Sequence, residues 1–301
     1  MQRRKRGCFY WLRLLGFGLL GGILFTAILI EIMYIADAAK PIPSTVGAPP
    51  AAVDGREYEP VTLYNEADDI HLAGWYLPST NGAAVILLHG YGSNRLEMLS
   101  RANVLAAHGY SVLLYDLRAH GESEGEERAF GWEDVSDVKA ALDFLAGRED
   151  VDPDKIGILG FSIGGQIALR AAAEYESIAA VIADDPAYVT IDDAPPASSG
   201  SEKFAYFVAW VDDRGVSLWT GIPIPAGVPE ILPAISPRPI FFIDTGQGGG
   251  MKYIRSLYEL AGEPKTLWEI PETYHGGQFT ARPEEYAEKM LEFFDAYLLG
   301  K

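Results

Sequence analysis

The stretch KIGILGFSIGGQ, residues 155–166, decides how the chain is read. It starts with Ile156 to Leu159, a short run whose pattern fits a strand covered on both faces. It passes through Gly160-Phe161-Ser162-Ile163-Gly164-Gly165 and then enters an Ala-rich segment. A bare G-x-S-x-G string says little in a chain with 32 glycines. Set between a strand and a helix it says more. A serine on that sharp turn is held exposed above the sheet, and glycines two before and two after let strand and helix approach. A serine that merely caps a helix is the competing reading. The strand–turn–helix setting favours a nucleophile.

Working outward, similar apolar runs recur. Ala83 to Leu88, Ser111 to Tyr115, Ala179 to Ala183 and Ile240 to Ile243 all fit central strands of a parallel sheet. Val61 to Tyr64 and Ile70 to Leu77 read as two strands joined by turn residues Asn65 to Asp69, and Thr266 to Ile270 as a last strand. Helical spacing separates them: Val135, Val138, Leu142 and Leu145 in one segment, and Tyr286, Met290, Phe293, Phe294 and Tyr297 behind Pro283-Glu284-Glu285 in another. Strands alternating with helices imply βα units in a doubly wound α/β sheet. Residues 188–236 break the alternation and bunch Phe204, Tyr206, Phe207, Trp210 and Trp219. They read as a lid-like excursion over the carboxyl edge of the sheet, where such sheets bind ligands. The spacing of Phe204, Phe207 and Trp210 equally allows a helix packed on the body.

The N-terminus is a different material. Residues 14–30, LLGFGLLGGILFTAILI, carry no charge, and Arg3, Arg4, Lys5, Arg6 and Arg13 precede them. This length and this basic flank predict a transmembrane signal anchor over residues 1–36, its N-terminus cytoplasmic and the rest extracytoplasmic. A cleaved signal peptide with Ala36-Asp37-Ala38 as its site is the alternative, but its apolar region runs to about 15 residues, shorter than this one. Residues 37–57, rich in Pro and Ala, read as a semi-rigid spacer, and 58–301 as the folded domain. The single cysteine, Cys8, lies at the cytoplasmic end, so no internal disulfide forms. Removing the five basic residues of the N-terminus from the net −18 leaves −23 for residues 14–301. So acidic a body does not bind nucleic acid non-specifically and is repelled by anionic lipid. No metal or organic cofactor is expected: the sequence has neither a His/Cys cluster at ligand spacing nor a phosphate-binding glycine loop.

The motifs HGYG at 89–92, YDLRAHGESEG at 115–125, GFSIGG at 160–165 and the late His275-Gly276-Gly277 together resemble an α/β-hydrolase-fold serine hydrolase. The second is common in relatives of serine aminopeptidases and small esterases. The resemblance covers roughly residues 58–299. It implies an α/β-hydrolase fold, with a mostly parallel sheet and a short lid, and cleavage of an ester or amide in a small-molecule or peptide acyl substrate. Ser162 is then the nucleophile and His275 the base. Backbone N–H groups of Tyr91 and Ile163 form the oxyanion hole. His89, Asp116 and His120 take structural roles, and His71 and His108 are surface or packing residues.

One part of the pattern fails. Family members usually carry an acid a few residues into the loop after the strand at 240–243. Here that loop reads DTGQGGGMK, residues 244–252, with glycine near Gly248 in the acid's place. Three readings follow. Asp244 reaches His275 from the strand end, and it is the expected acid. Alternatively the acid comes from the preceding strand end, Ala183-Asp184-Asp185-Pro186, where Asp184 otherwise reads as a turn or cap residue. In the third, no acid is present, leaving a Ser162–His275 dyad or a non-catalytic binding protein on a hydrolase fold.

Overall fold

The runs apolar on both faces become the middle of a twisted sheet. A computed structural model describes residues 3–53, 55–246 and 251–301. Among these the main sheet has eight strands: β1 (Glu59–Asn65), β2 (Ile70–Leu77), β3 (Ala84–Leu88), β4 (Ser111–Tyr115), β5 (Ile156–Phe161), β6 (Ile178–Asp184), β7 (Ile240–Asp244) and β8 (Lys265–Glu269). Their spatial order is β1-β2-β4-β3-β5-β6-β7-β8. β1 pairs antiparallel with β2, and β2 with β4; all other pairs are parallel. The chain runs outward from β3 in both directions, so the loops after β3 and β5 meet at the switch point where open sheets bind ligands.

Helices cover both faces. On one side lie α3 (Asp134–Ala146), α4 (Ile163–Glu174) and α6 (Met251–Leu260), which bury Val138, Leu142, Ile167 and Ile254 against Val181, Ala183 and Phe242. On the other lie α2 (Leu99–Ala107) and α7 (Pro283–Phe294), with Ala102, Leu105, Met290 and Phe294 against Ala180, Ile182 and Ile243. The parity of each strand thus sets which helix layer a residue meets. That parity matters for the acid below.

Two elements stand outside these layers. α5 (Gly200–Thr220) forms within the 188–236 excursion, capped at its start by a reciprocal Ser199–Glu202 box and closed by Gly221 in the left-handed region. It is a helix, but Phe204, Phe207 and Trp210 do not pack on the body: they are 69%, 60% and 45% exposed. α1 (Arg3–Ala38) contains Leu15–Ala38, long and apolar enough to cross a membrane and hardly covered by the rest of the protein. Its end docks firmly. Ile35 joins Ala129, Trp132, Val216 and Ile222 in a small apolar cluster.

The spacer that follows is extended yet tied down rather than free. Ile42 N–H donates to Ala119 O at 2.7 Å and Ser44 N–H to Gly121 O at 2.8 Å. Arg56 donates to the carbonyls of Pro78 and Ala106.

Candidate active site

Ser162 sits at φ 54°, ψ −117° between β5 and α4. A side chain in that region costs about 1–3 kcal/mol, and such positions cluster at functional sites. The flanking glycines are obligatory on steric grounds. A Cβ at Gly160 would stand 1.9 Å from Gly164 O, and one at Gly164 would stand 2.5 Å from Leu88 O. The turn is pinned by Ser162 N–H to Asp184 O (2.9 Å) and Ala187 N–H to Ser162 O (3.1 Å).

His275, in the loop after β8, faces the serine. Its Nε2 lies 2.8 Å from Ser162 Oγ and its Nδ1 lies 2.7 Å from Asp185 Oδ2. The imidazole packs against Phe161, centroid to centroid 4.8 Å, so strand β5 supplies both the turn and a platform for the ring. Asp185 is fully buried. It accepts further hydrogen bonds from Thr245 N–H (3.4 Å) and Thr245 Oγ1. A serine hydroxyl, an imidazole and a buried carboxylate thus stand in one hydrogen-bonded line, the geometry that nucleophile, base and orienting group take in a catalytic triad.

The carboxylate beside His275 is that of Asp185 and not, as expected, that of Asp244. Residues 240, 242 and 244 point to the face of α3, α4 and α6, since Ile240 and Phe242 belong to that core. His275 lies on the opposite side, against Phe161. Asp244 Oδ1 accepts from Gly246 N–H at 2.6 Å, and Oδ2 has no partner among the described residues. Burial pushes its carboxyl up from the ordinary range. Gly248, the position of the missing family acid, lies outside the described residues.

Asp184 points to the correct face but is taken. Its Oδ2 accepts from Arg101 Nη2 (2.7 Å) and Tyr286 Oη (2.7 Å), and its Oδ1 from Gln278 Nε2 (2.9 Å). The next residue, Asp185, leaves the strand at φ 48°, and this reversal carries its carboxylate to His275. Sequence reasoning reached this strand end and chose the wrong member of the pair. The available signal was a doubled acid closing a strand directly beside the nucleophile strand.

The structure places the remaining expected residues as follows. Ile163 heads α4, where the first N–H groups have no intrahelical acceptor. It lines one cavity of ≈ 260 Å³ together with Ser162 and Tyr91. The Tyr91 ring stacks on Phe130 at 5.7 Å, and Arg128 lies 4.3 Å above it. His89 is buried behind this rim: its Nδ1 donates to Gly90 O (2.7 Å) and its Nε2 accepts from Leu117 N–H (2.9 Å). Burial holds its pKa down to about 3, so it is a neutral bracket between two loops. Asp116 accepts from Arg95 N–H, Arg95 Nη1 and Glu122 N–H. His120 is buried, its Nδ1 donating to Arg118 O at 2.8 Å. His71 and His108 lie on the surface, His71 paired with Glu124 at 3.1 Å.

The cavity has walls the sequence did not announce. Tyr34, from the end of α1, and Ala209, Asp212, Asp213 and Val216, from α5, enclose it. Asp213 accepts from Ile191 N–H at 2.8 Å, and burial raises its pKa to about 6. Among the described residues no group of acidic, His or Cys side chains is arranged to hold a metal.

Known proteins carry the same framework. A family model for the alpha/beta hydrolase fold matches residues 83–217. The crystal structure of an esterase from Pyrococcus furiosus is 26% identical with a TM-score of 0.69, covering 86% of this chain and 99% of that one. The uncharacterized protein YfhR of Salmonella typhimurium is 28% identical over 265 residues, 81% of this chain and 84% of that protein. The quorum-quenching protein AidA of Acinetobacter baumannii is 31% identical over 133 residues, 42% of this chain and 44% of its own. With the strand order above, these matches show that the chain has the alpha/beta hydrolase fold.

Proposed function

We propose that the protein is a serine hydrolase that cleaves carboxylic esters, held at a membrane by residues 14–36 with its catalytic domain on the extracytoplasmic side. The observation that carries the catalytic part is the hydrogen-bonded line Ser162–His275–Asp185, 2.8 Å and 2.7 Å. His275 Nε2 takes the Ser162 proton as Oγ attacks the substrate carbonyl. Asp185 holds the Nδ1–H tautomer and stabilises the imidazolium. The negative charge on the carbonyl oxygen meets the N–H groups of Ile163 and Tyr91. Collapse expels the alcohol, which receives the proton from His275, and leaves an acyl group on Ser162. Water, deprotonated by His275, attacks that acyl carbon; the acid leaves and Ser162 regains its proton.

The likeness to a Pyrococcus furiosus esterase is the ground for reading the bond cleaved here as an ester rather than an amide. The non-catalytic alternative rested on a triad without an acid, and Asp185 beside His275 weighs against it. The anchor reading rests on the apolar length of Leu15–Ala38 and the five preceding bases.

The test is labelling with a fluorophosphonate, wild type beside Ser162→Ala and His275→Ala. A stable adduct on wild type alone is expected. A folded wild type that takes no label would remove the enzyme reading. For the anchor, Cys8 in intact cells should resist a membrane-impermeant maleimide and react after permeabilisation. A mature chain that begins beyond Ala38 would identify a cleaved signal instead.

A further inference from the structure

The reacting serine opens toward the membrane helix. From α1, Tyr34 lines the Ser162 cavity. α1 and α5 touch over about one turn of each: Glu31 lies within hydrogen-bonding reach of Asp212, and Ile35 reaches Gly215, where a Cβ would stand 2.3 Å from its Cδ1. α5 therefore has two working faces. Ala209, Asp212, Asp213 and Val216 turn toward the cavity. Phe204, Phe207, Val208 and Leu218 form an outward stripe at helical spacing, and Leu218 is 89% exposed. Trp210 and Trp219 are also exposed beside it.

A bilayer's hydrocarbon core is about 30 Å thick and takes about 20 helical residues. Counted from the basic boundary at Arg13, the outer interface falls close to Tyr34, which is where α5 crosses. An apolar stripe flanked by tryptophans at that level matches an interfacial helix. Continuity with α1 points to the occupant of the stripe: α1 meets α5 at Ile35 and leaves Ile28, Ile32 and Met33 exposed. The cavity of ≈ 260 Å³ is smaller than ordinary small-ligand pockets, which start at about 300 Å³, and too small to enclose a whole lipid.

We propose that α5 lies in the outer interfacial layer of the bilayer and that the substrate is a membrane-borne acyl ester, drawn laterally between α1 and α5 so that only its ester end enters the cavity. This rests on the serine-hydrolase reading above. The net −23 of residues 14–301 and the Asp212–Asp213 wall select uncharged or zwitterionic amphiphiles over anionic ones.

Two measurements on the full chain in phosphatidylcholine vesicles test it. In a Cys8→Ser background, an NBD fluorophore is placed at Phe207→Cys or, at the far edge of the sheet, at Ser177→Cys. The label at 207 should be quenched by doxyl lipid and shielded from iodide, and the label at 177 should behave in the opposite way. Iodide access at 207 equal to that at 177 overturns the proposal. Shielding at 207 without doxyl quenching also overturns it, because a second copy or a partner protein then covers the stripe. This readout needs no turnover, so it separates the location of α5 from the hydrolase reading.

The second measurement compares p-nitrophenyl butyrate in solution with a long-chain neutral acyl ester carried in the vesicles. Phe207→Glu with Leu218→Glu should leave butyrate turnover within about two-fold and lower that of the bilayer-borne ester about ten-fold or more. Equal loss on both substrates, or loss on neither, overturns the proposal. Wild-type turnover of butyrate but not of the bilayer-borne ester overturns it while leaving the hydrolase reading intact. No wild-type turnover of either ester removes the hydrolase reading.

Discussion

The ends of β6 and β7 read almost alike. Ile182-Ala183-Asp184-Asp185 closes one and Phe242-Ile243-Asp244-Thr245 closes the other. Each is an apolar strand ending in aspartate at the carboxyl edge of the sheet, on adjacent strands. Yet the three carboxylates have three fates. Asp184 is locked to Arg101, Tyr286 and Gln278. Asp185 faces His275. Asp244 is buried on the opposite face with one oxygen unpartnered among the described residues. What separates them is strand parity together with a single backbone reversal at Asp185, not residue type or distance along the chain.

The largest effect should come from exchanging the roles that the two strand ends were assigned. Asp185→Asn keeps the shape but removes the charge and the tautomer control, so kcat on a p-nitrophenyl ester should fall on the order of 10⁴-fold. Asp244→Asn should stay within a few-fold of wild type. The reverse order would return the acid to β7. Far-ultraviolet circular dichroism on both variants separates a lost catalyst from a lost fold.

Asp184→Asn addresses the other half of the doubled acid. It leaves Arg101 buried without its carboxylate partner, and breaking such a pair typically costs about 3–5 kcal/mol. Denaturant unfolding should show that loss, and kcat at a temperature where the protein is folded should fall far less than for Asp185→Asn. A catalytic loss as large as that of Asp185→Asn, without loss of stability, would mean that the two aspartates act as one unit.

These contrasts mark what was legible in the sequence. The central strands were readable because burial on both faces leaves an unbroken apolar run, as at Ile156 to Leu159. The elbow was readable because its steric demand is local: Gly160 and Gly164 have no room for a Cβ. The position of His275 beside Ser162 was readable from the order of motifs. The contact of Asp185 with His275 was not, because it depends on the parity of β6, on which layer holds α2 and α7, and on a reversal at one residue. The wall formed by Tyr34 was hidden for a similar reason: it brings together positions more than a hundred residues apart. The 188–236 excursion was read as a lid or a packed helix, and it contains a helix, α5, whose Phe204, Phe207 and Trp210 are left exposed.

The smallest effect concerns Asp244 alone, and its sign is diagnostic. Burial raises this carboxyl above its ordinary pKa of 3.8. Between that value and the raised one, the folded protein binds more protons than the unfolded chain. Stability therefore falls as pH rises through the window and stays lowered above it. Asn does not titrate, and its Oδ1 can still accept from Gly246 N–H. Asp244→Asn should thus match wild type near pH 3 and become the more stable of the two as pH rises to 7, with each unit of displaced pKa worth about 1.4 kcal/mol. Thermal midpoints of the two proteins across that range are the measurement. A carboxylate that served His275 would behave in the opposite way: its pairing with imidazolium would favour the charged form, and its removal would not stabilise the fold at neutral pH. A variant less stable than wild type at pH 7 would therefore place Asp244 in a charge-stabilised contact and return β7 to the catalytic site.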